Sequence, residues 1–414
     1  MRMISSAEQA VVLEEVDLYP AEFYRTGDPH AVWRVLREKA PVWRQQAPDG
    51  MEFWSLTRYR DVVAVLGDTG RFSSEYTTML SELSGDSARG RAIHVTDPPR
   101  HTSLRSSTVA TMSTKVMRGH ESRIRGRIAA LVEAALAEGV TDFAALATAV
   151  PMAASGAVIG IPEEYWNDVA RWTITSMAPG DPVYGGSAPQ EALLEAHVSL
   201  FAMFGDLIAE RRKRPADDLV SALLALRIDG REPTDDDVLV NCYAFIMGAN
   251  PTVPQVASHL VLAALEDEAL WRRLVSEPEI QPTAIEEALR WASPVNHLVR
   301  LATEEVRLGD EVIPEGGLVA AWVASANRDE DVFADPYVFD PVRRPNPHIA
   351  FGGGPHRCIG NPPARTGLSV LLGELASRVA GFEPAGEVKH LESNFLNGIT
   401  SLPVVMRPAR KSRA

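Results

Sequence analysis

The sequence predicts a mainly α-helical protein with one small β region, an α+β class in which the strands are gathered together. Apolar residues recur at helical spacing through most of the 414 residues. Strand-like alternation is confined to a few short stretches near the N-terminus, in the last third and at the C-terminus. Strand and helix signals do not alternate, which argues against alternating βαβ units.

Taken in order, "HAVWRVLREKA" (His30 to Ala40) has the spacing of an amphipathic helix. "APVWRQ" and "FWSLTR" flank the turn "APDG" and read as a hairpin. "RIRGRIAALVEAALAEG" (Arg123 to Gly139) is a second amphipathic helix, and the Pro- and Gly-rich "MAPGDPVYGGSAPQ" (Met177 to Gln190) is a long loop rather than a domain linker. "EALLEAHVSLFAMFGDLIAERRKR" is a long helix whose basic end suits its C-terminal dipole. "DDDVLVNCYAFIMGANPTVPQVASHLVLAALED" predicts one longer helix with acids in its first turn. Pro251 and Pro254 stand in its middle, where each removes a donor, Pro251 freeing the carbonyl of Met247 and Pro254 that of Asn250. "VRLATEEVRLGDEVIPEGGLVAAWVASANRD" (Val299 to Asp329) breaks into short strands at its Gly-containing turns, and "NGITSLPVVMR" predicts a last hairpin.

Hydrophobic residues make up 45% and charged residues 23%, with no repeat or low-complexity run, so one domain over residues 1–414 is expected. The 41 basic against 55 acidic residues, net −14, argue against a nucleic-acid binder. The N-terminal "MRMISSAEQAVVLEEVDLYP" lacks a signal-peptide core, and no stretch reads as a membrane span, so a cytoplasmic monomer is expected. Two cysteines, Cys242 and Cys358, make a disulfide framework implausible. Cys242 lies in an apolar helix and reads as core.

Cys358 has a different setting, "PHIAFGGGPHRCIGNPPARTGLSVLLGELASRV". Three glycines and a proline precede it, Gly360 follows, and a helix opens at Pro362 and Pro363, where missing N–H groups cost nothing. A cysteine just ahead of a helix N-terminus is favoured as thiolate, and glycines let the backbone approach a flat group closely. A thiolate held this way can ligate a haem iron. Phe351, Gly354, Cys358 and Gly360 match F-x-x-G-x-x-x-C-x-G. The stretch resembles the haem-ligand loop of the cytochrome P450 family.

Further matches follow in the family's order. Glu287 and Arg290 in "EEALRW", spaced to share a helix face, resemble its K-helix pair, and Arg343 in "FDPVR" the third member of that ion network. His101 and Arg105 in "DPPRHTSLR" resemble the C-helix cations that face a haem propionate, with Arg300 and His348 where the family places other propionate partners. The resemblance runs from about Asp17 to Met406 and is to a bacterial, actinomycete-like class I member. It implies the P450 fold, with haem b between the long I-helix and the L-helix, and Cys358 as axial ligand. It also implies O2 activation with electrons from NAD(P)H through a ferredoxin reductase and a ferredoxin. Arg105, Lys115, Arg118, Arg357 and Arg365 are candidates to receive that acidic partner.

By family position, a small-molecule substrate would meet the loop from Tyr76 to Leu83, then Ile246, Ala249 and Asn250, Val295, Asn296, His297 and Leu298, and Phe395 to Thr400 including Asn397. Their mixture of apolar and polar types suits a mid-sized, partly polar natural product. The oxygen-binding pattern A-G-x-[D/E]-T-[T/S] falls on Gly248, Ala249, Asn250, Pro251, Thr252 and Val253. Thr252 keeps the alcohol, while Pro251 replaces the acid and cannot relay a proton. Three accounts are open. Solvent or Asn250 serves the relay, a polar group of the substrate completes it, or the enzyme couples or cyclises an aromatic or peptide-derived substrate through radicals without inserting oxygen. A non-catalytic haem sensor is the remaining alternative.

Overall fold

A computed structural model describes residues 11–227 and 230–409, so the first ten residues of the N-terminal stretch lie outside the described residues. Helices α1 (Ala21–Thr26), α2 (Pro29–Lys39), α3 (Tyr59–Gly67), α4 (Arg100–Thr108) and α5 (Thr114–Glu138) precede α6 (Phe143–Pro151) and α7 (Ala157–Ile159), which a π-helical turn joins. They are followed by α8 (Trp166–Met177), α9 (Pro189–Lys213), α10 (Leu219–Leu224), α11 (Asp235–Ala249), α12 (Val253–Glu266) and α13 (Glu268–Ser276). Last come α14 (Gln281–Ala292), α15 (Val323–Ala326) and α16 (Asn361–Arg378). Local signals set several starts. Asp28 accepts from the amides of His30 and Ala31 to cap α2, and Thr234 and Asp237 form a reciprocal capping box on α11.

The strands are β1 (Val42–Gln46), β2 (Glu52–Leu56), β3 (Phe72–Ser73), β4 (Val140–Asp142), β5 (Leu298–Ala302), β6 (Val306–Leu308), β7 (Glu311–Ile313) and β8 (Leu318–Ala321). β9 (Val379–Pro384), β10 (Lys389–His390), β11 (Ile399–Ser401) and β12 (Pro403–Pro408) complete them. The expected hairpin is β1–β2, with Val42 opposite Leu56. It joins β8, β5 and β3 in one five-stranded sheet, ordered β1-β2-β8-β5-β3.

The C-terminal hairpin is overturned. β11 pairs with β10, whereas β12 pairs with β9 and β4. Pro403 opens β12, and Asp142, at the end of β4, accepts from both the Ser401 hydroxyl and the Leu402 amide, which directs the two halves to different partners.

The single long helix is also corrected: it is α11 followed by α12, with hydrogen bonding interrupted between them. Asn250 (φ −89°, ψ −44°) and Thr252 (φ −90°, ψ −43°) keep near-helical dihedrals. The chain direction therefore continues while the ladder lapses, as prolines dictate. Side chains fill part of the gap. The Thr252 hydroxyl donates to the Gly248 carbonyl at 3.0 Å, and Gln255 Nε2 donates to the Pro251 carbonyl at 3.3 Å. Gln255 Oε1 accepts from the Ile399 amide at 2.8 Å, anchoring the break to β11.

α12 is buried on nearly every side and lies in the main apolar core with α6, α14 and α16. A second core under the five-stranded sheet gathers Trp33, Phe53 and Trp322. By length and composition α9 contains one window apolar enough to cross a membrane, which the sequence reading had not singled out; a third of that window is buried. Among the described residues it is the sole helix of that kind.

Candidate haem-thiolate site

The Cys358 loop takes its shape from two glycines in the left-handed region. Gly352 has φ +69° and Gly354 φ +62°. A Cβ on Gly354 would collide with the carbonyl of Leu66 at the end of α3, so that position takes no side chain. The Cys358 amide donates to the Phe351 carbonyl at 2.8 Å, closing the loop, and Asn361 Nδ2 donates to the Cys358 carbonyl at 2.7 Å. Pro362 and Pro363 fall in the first turn of α16, whose N-cap is Gly360.

Burial pushes the Cys358 thiol above its ordinary range, against the opposing pull of the Gly360 amide and of Arg105, Arg365 and Arg357. A bound metal cation is the group that deprotonates a thiol outright.

Beside this loop, basic side chains converge. His101 of α4 is buried, and its ring lies 4.0 Å from that of His356. Arg300 of β5 is 2% exposed and donates to the Val299 carbonyl at 2.8 Å, with no carboxylate at ion-pair distance among the described residues. Burial holds its guanidinium down to about 10. Burial, then Arg300, His101 and Arg105, push His356 down to about 2, and its Nε2 is buried without a partner. Arg105 donates to the Arg357 carbonyl at 2.5 Å. A buried guanidinium without a carboxylate, beside imidazoles that its charge depresses, is unfavourable alone, because an unpaired buried cation costs several kcal/mol, and it fits an anionic ligand. The carboxylates of haem b have that chemistry, and Cys358 is the matching iron donor.

His356 was missed by the sequence reading, although a histidine two residues before the cysteine was a visible signal. His348 takes another place. Its Nε2 meets Glu286 Oε2 at 3.0 Å, and the same carboxylate takes Arg365 Nε at 2.6 Å and Nη2 at 2.8 Å. These partners hold Glu286 down to about 2, against burial. Arg365 also lies over the Phe351 ring at 4.5 Å and donates to Asn361 Oδ1, bracing the cysteine loop from behind.

Glu287, Arg290 and Arg343 form one buried network. Arg290 donates to both Glu287 oxygens at 2.7 and 2.8 Å, and Arg343 Nε to both at 3.1 Å. The spare guanidinium donors reach the carbonyls of Asn327, Ala334, Asp335, Pro336 and Val338. The trio thereby fixes the irregular segment leading to Cys358.

On α11 and α12 the polar side chains divide. Gly248 is exposed and Ala249 and Thr252 half-buried, although Ile246, Met247, Asn250 and Val253 are buried. The open positions therefore line one face at the break. Asn250 turns elsewhere: Nδ2 donates to Thr173 Oγ1 on α8 at 2.8 Å, and Oδ1 is buried without a partner. Most other polar side chains expected at the substrate are tied to the backbone. Asn296 donates to the Asn394 carbonyl and Asn397 to that of Ala292. His297 accepts from the Leu80 amide through Nε2 at 3.1 Å, so its Nδ1 carries the proton and donates to the Asn394 carbonyl. Val295 and Phe395 join one apolar cluster with Met79, Ile174 and Leu396, while Ile246 belongs to the main core and Leu298 packs beneath the sheet.

A family model described as Cytochrome P450 matches residues 279–393, which include α14, its ion network and the cysteine loop. Linalool 8-monooxygenase of Pseudomonas putida is 31% identical over 407 residues, covering 96% of this chain and 100% of the relative. Cytochrome P450 NovI of Streptomyces niveus is 32% identical over 396 residues, with 95% and 96% covered. Among solved structures, Mycobacterium marinum cytochrome P450 CYP268A2 in complex with pseudoionone superposes with a TM-score of 0.88 at 31% identity, covering 96% of this chain and 100% of that one. With full-length relatives at this identity and the fold they share, the chain belongs to the bacterial cytochrome P450 family and is an oxidoreductase of the monooxygenase type.

Proposed function

We propose that the protein is a haem-thiolate monooxygenase acting on a mid-sized natural product, with electrons from NAD(P)H delivered through a ferredoxin reductase and a ferredoxin. The observation that carries the reading is the basic knot of His101, Arg300 and His356, with Arg105 alongside, next to a cysteine on a glycine-shaped loop. Haem, when bound there, supplies reductive O2 activation and the oxidant for the substrate. Cys358 would ligate the iron, and His101, Arg105, Arg300 and His356 would hold the propionates.

Thr252 presents a hydroxyl at the helix break. Its proton rests on the Gly248 carbonyl, so it becomes available to a reacting group by rotation about one bond. Pro251 carries no proton, and Asn250 is engaged with α8. The relay therefore runs from Thr252 to solvent or to the substrate. Val295, Phe395 and Met79 form an apolar wall for the substrate's aromatic or alicyclic body. Lys115, Arg118 and Arg357 are the exposed members of the basic set proposed for the ferredoxin, since Arg365 is committed to Glu286 and Arg105 to the loop. The working form is taken as a cytoplasmic monomer of one domain.

The decisive test is the reduced CO complex, which should absorb at the position typical of thiolate ligation; a histidine-like spectrum overturns the assignment. Turnover under labelled O2 then sorts the reaction. Label in the main product supports oxygen insertion, and an unlabelled coupled product supports radical coupling instead.

A further inference from the structure

Helix α9 buries one face against α8, α10 and α11 and leaves a second apolar face in solvent. Exposed residues recur along it at steps of three and four from Glu191 to Arg212, which places them in one stripe about 30 Å long. The large apolar members lie in its N-terminal half: Leu194 is 64% exposed, Val198 58% and Phe201 38%. The small members, Ala202, Gly205 and Ala209, lie in its C-terminal half and are exposed as well. Scattered apolar residues on a surface need no account, but a continuous stripe marks a contact surface.

Gly205 is the odd member of the stripe. A glycine in an exposed helix interior costs about 1 kcal/mol relative to alanine. A Cβ at this position would meet nothing within 4 Å among the described residues. Packing within the chain therefore gives no reason for the glycine, whereas close approach by another helix does. The ends of α9 supply charge of opposite sign. Glu191 and Glu195 stand in its first two turns, and Arg212, Lys213 and Arg214 at its end. Among the described residues Glu191, Glu195, Lys213 and Arg214 form no ion pair, and Arg212 forms one, with Asp235.

The geometry points to α9 as the seam of a reversible two-fold pair, in which α9 of a second copy of this chain lies antiparallel across a point between Phe201 and Ala202. In that register each large residue meets a small one of the second copy. Leu194 faces Ala209, Val198 faces Gly205 and Phe201 faces Ala202, and each contact occurs twice, as an isologous interface requires. Glu191 of each copy falls opposite Arg212 of the other, and the two helix dipoles oppose each other. A parallel arrangement would instead set Gly205 against Gly205 and acid against acid. The stripe is thus complementary to itself in shape and in charge, which neither a lipid surface nor an unrelated protein explains. One pair of helices is a small interface, so the pair exchanges with the monomer taken above as the working form, with half association at about 10 μM. This goes beyond the haem-thiolate reading and does not rest on it.

The test is sedimentation velocity of the full chain as the holoenzyme between about 1 and about 100 μM, without and with phosphatidylcholine vesicles. The mean mass should rise from one chain toward two over that range. Val198→Glu should weaken the association about tenfold or more, and Gly205→Lys likewise, since each puts an unpartnered charge into the seam. Both positions are exposed, so neither change threatens the fold. Mixing the two variants should restore a pair with one copy of each, because the introduced carboxylate of one then faces the introduced ammonium of the other. A chain that stays single at about 100 μM overturns the seam, and if it cosediments with the vesicles the stripe is a lipid-binding face instead. A pair that survives both variants lies elsewhere on the surface and overturns the seam as well. Loss in both variants without recovery on mixing overturns the antiparallel register.

Discussion

Arg300 shows how much one residue can reveal. A guanidinium 2% exposed, with a backbone carbonyl as its recorded acceptor, is a charge awaiting an anion. Arg300→Leu should weaken haem retention by about 2–5 kcal/mol, read as faster haem loss to apomyoglobin, because the propionate is left without its buried partner. Unchanged retention would remove Arg300 from the site. At the helix break, Thr252→Ala should divert electrons from product to peroxide, and Thr252→Ser should restore the coupling, since the hydroxyl is the group at issue. The ratio of product formed to NAD(P)H consumed reads both. Equal coupling in all three forms would assign the Thr252 hydroxyl to the Gly248 carbonyl alone. The sequence shows the identity of these residues, but only the fold separates His356, packed against the ring of His101, from His348, paired with Glu286. His348 and His356 both precede Cys358 on the same approach to the loop, and nothing in their spacing says which way the chain turns between them.

At the scale of elements, the two prolines convert one helix into two, and the energetic problem is the carbonyls left without a ladder donor at the break. Gln255 answers for that of Pro251, since its own amide turns to the Thr252 carbonyl while its side chain donates to the Pro251 carbonyl and accepts from the Ile399 amide. Gln255→Leu leaves both groups buried and unpaired, and a loss of about 1–3 kcal/mol per group is expected, measured as a lower urea midpoint. A midpoint equal to that of the wild type would mean that the break needs no clamp. Proline chemistry is written in the sequence, and so is the position of the break. The clamp is not, because Gln255 and Ile399 lie 144 residues apart. The same reason explains the misread C-terminal hairpin. Alternation marks a strand, but the partner of β12 is decided by β9 and β4, which arrive from distant parts of the chain.

For the whole molecule, several histidines are packed as neutral groups. Burial lowers His297 to about 3 and His259 to about 4, both below the ordinary histidine value. In the unfolded chain these rings take up protons near pH 6.5, and in the folded protein only well below it, so the unfolded state binds more protons in between. Stability should therefore fall as the pH is lowered from about 6.5 toward 4, by up to about 1.4 kcal/mol per pH unit for each such ring. Urea denaturation across that range checks the sign, and a flat profile would show that these rings titrate alike in both states.

What the sequence determined by itself was the class of the molecule and the chemistry of its ligand. Helical periodicity, the cysteine loop pattern and the Glu287–Arg290–Arg343 set are local or ordered signals, carried by residue type and spacing. Tertiary structure decided which polar groups are spoken for. Asn250, Asn296, His297 and Asn397 read as free contacts along the chain, yet the fold gives most of their hydrogen bonds to α8 and to backbone carbonyls. The physical reason is that burial makes hydrogen bonding obligatory, and which donor meets which acceptor depends on segments that approach only once the chain is folded.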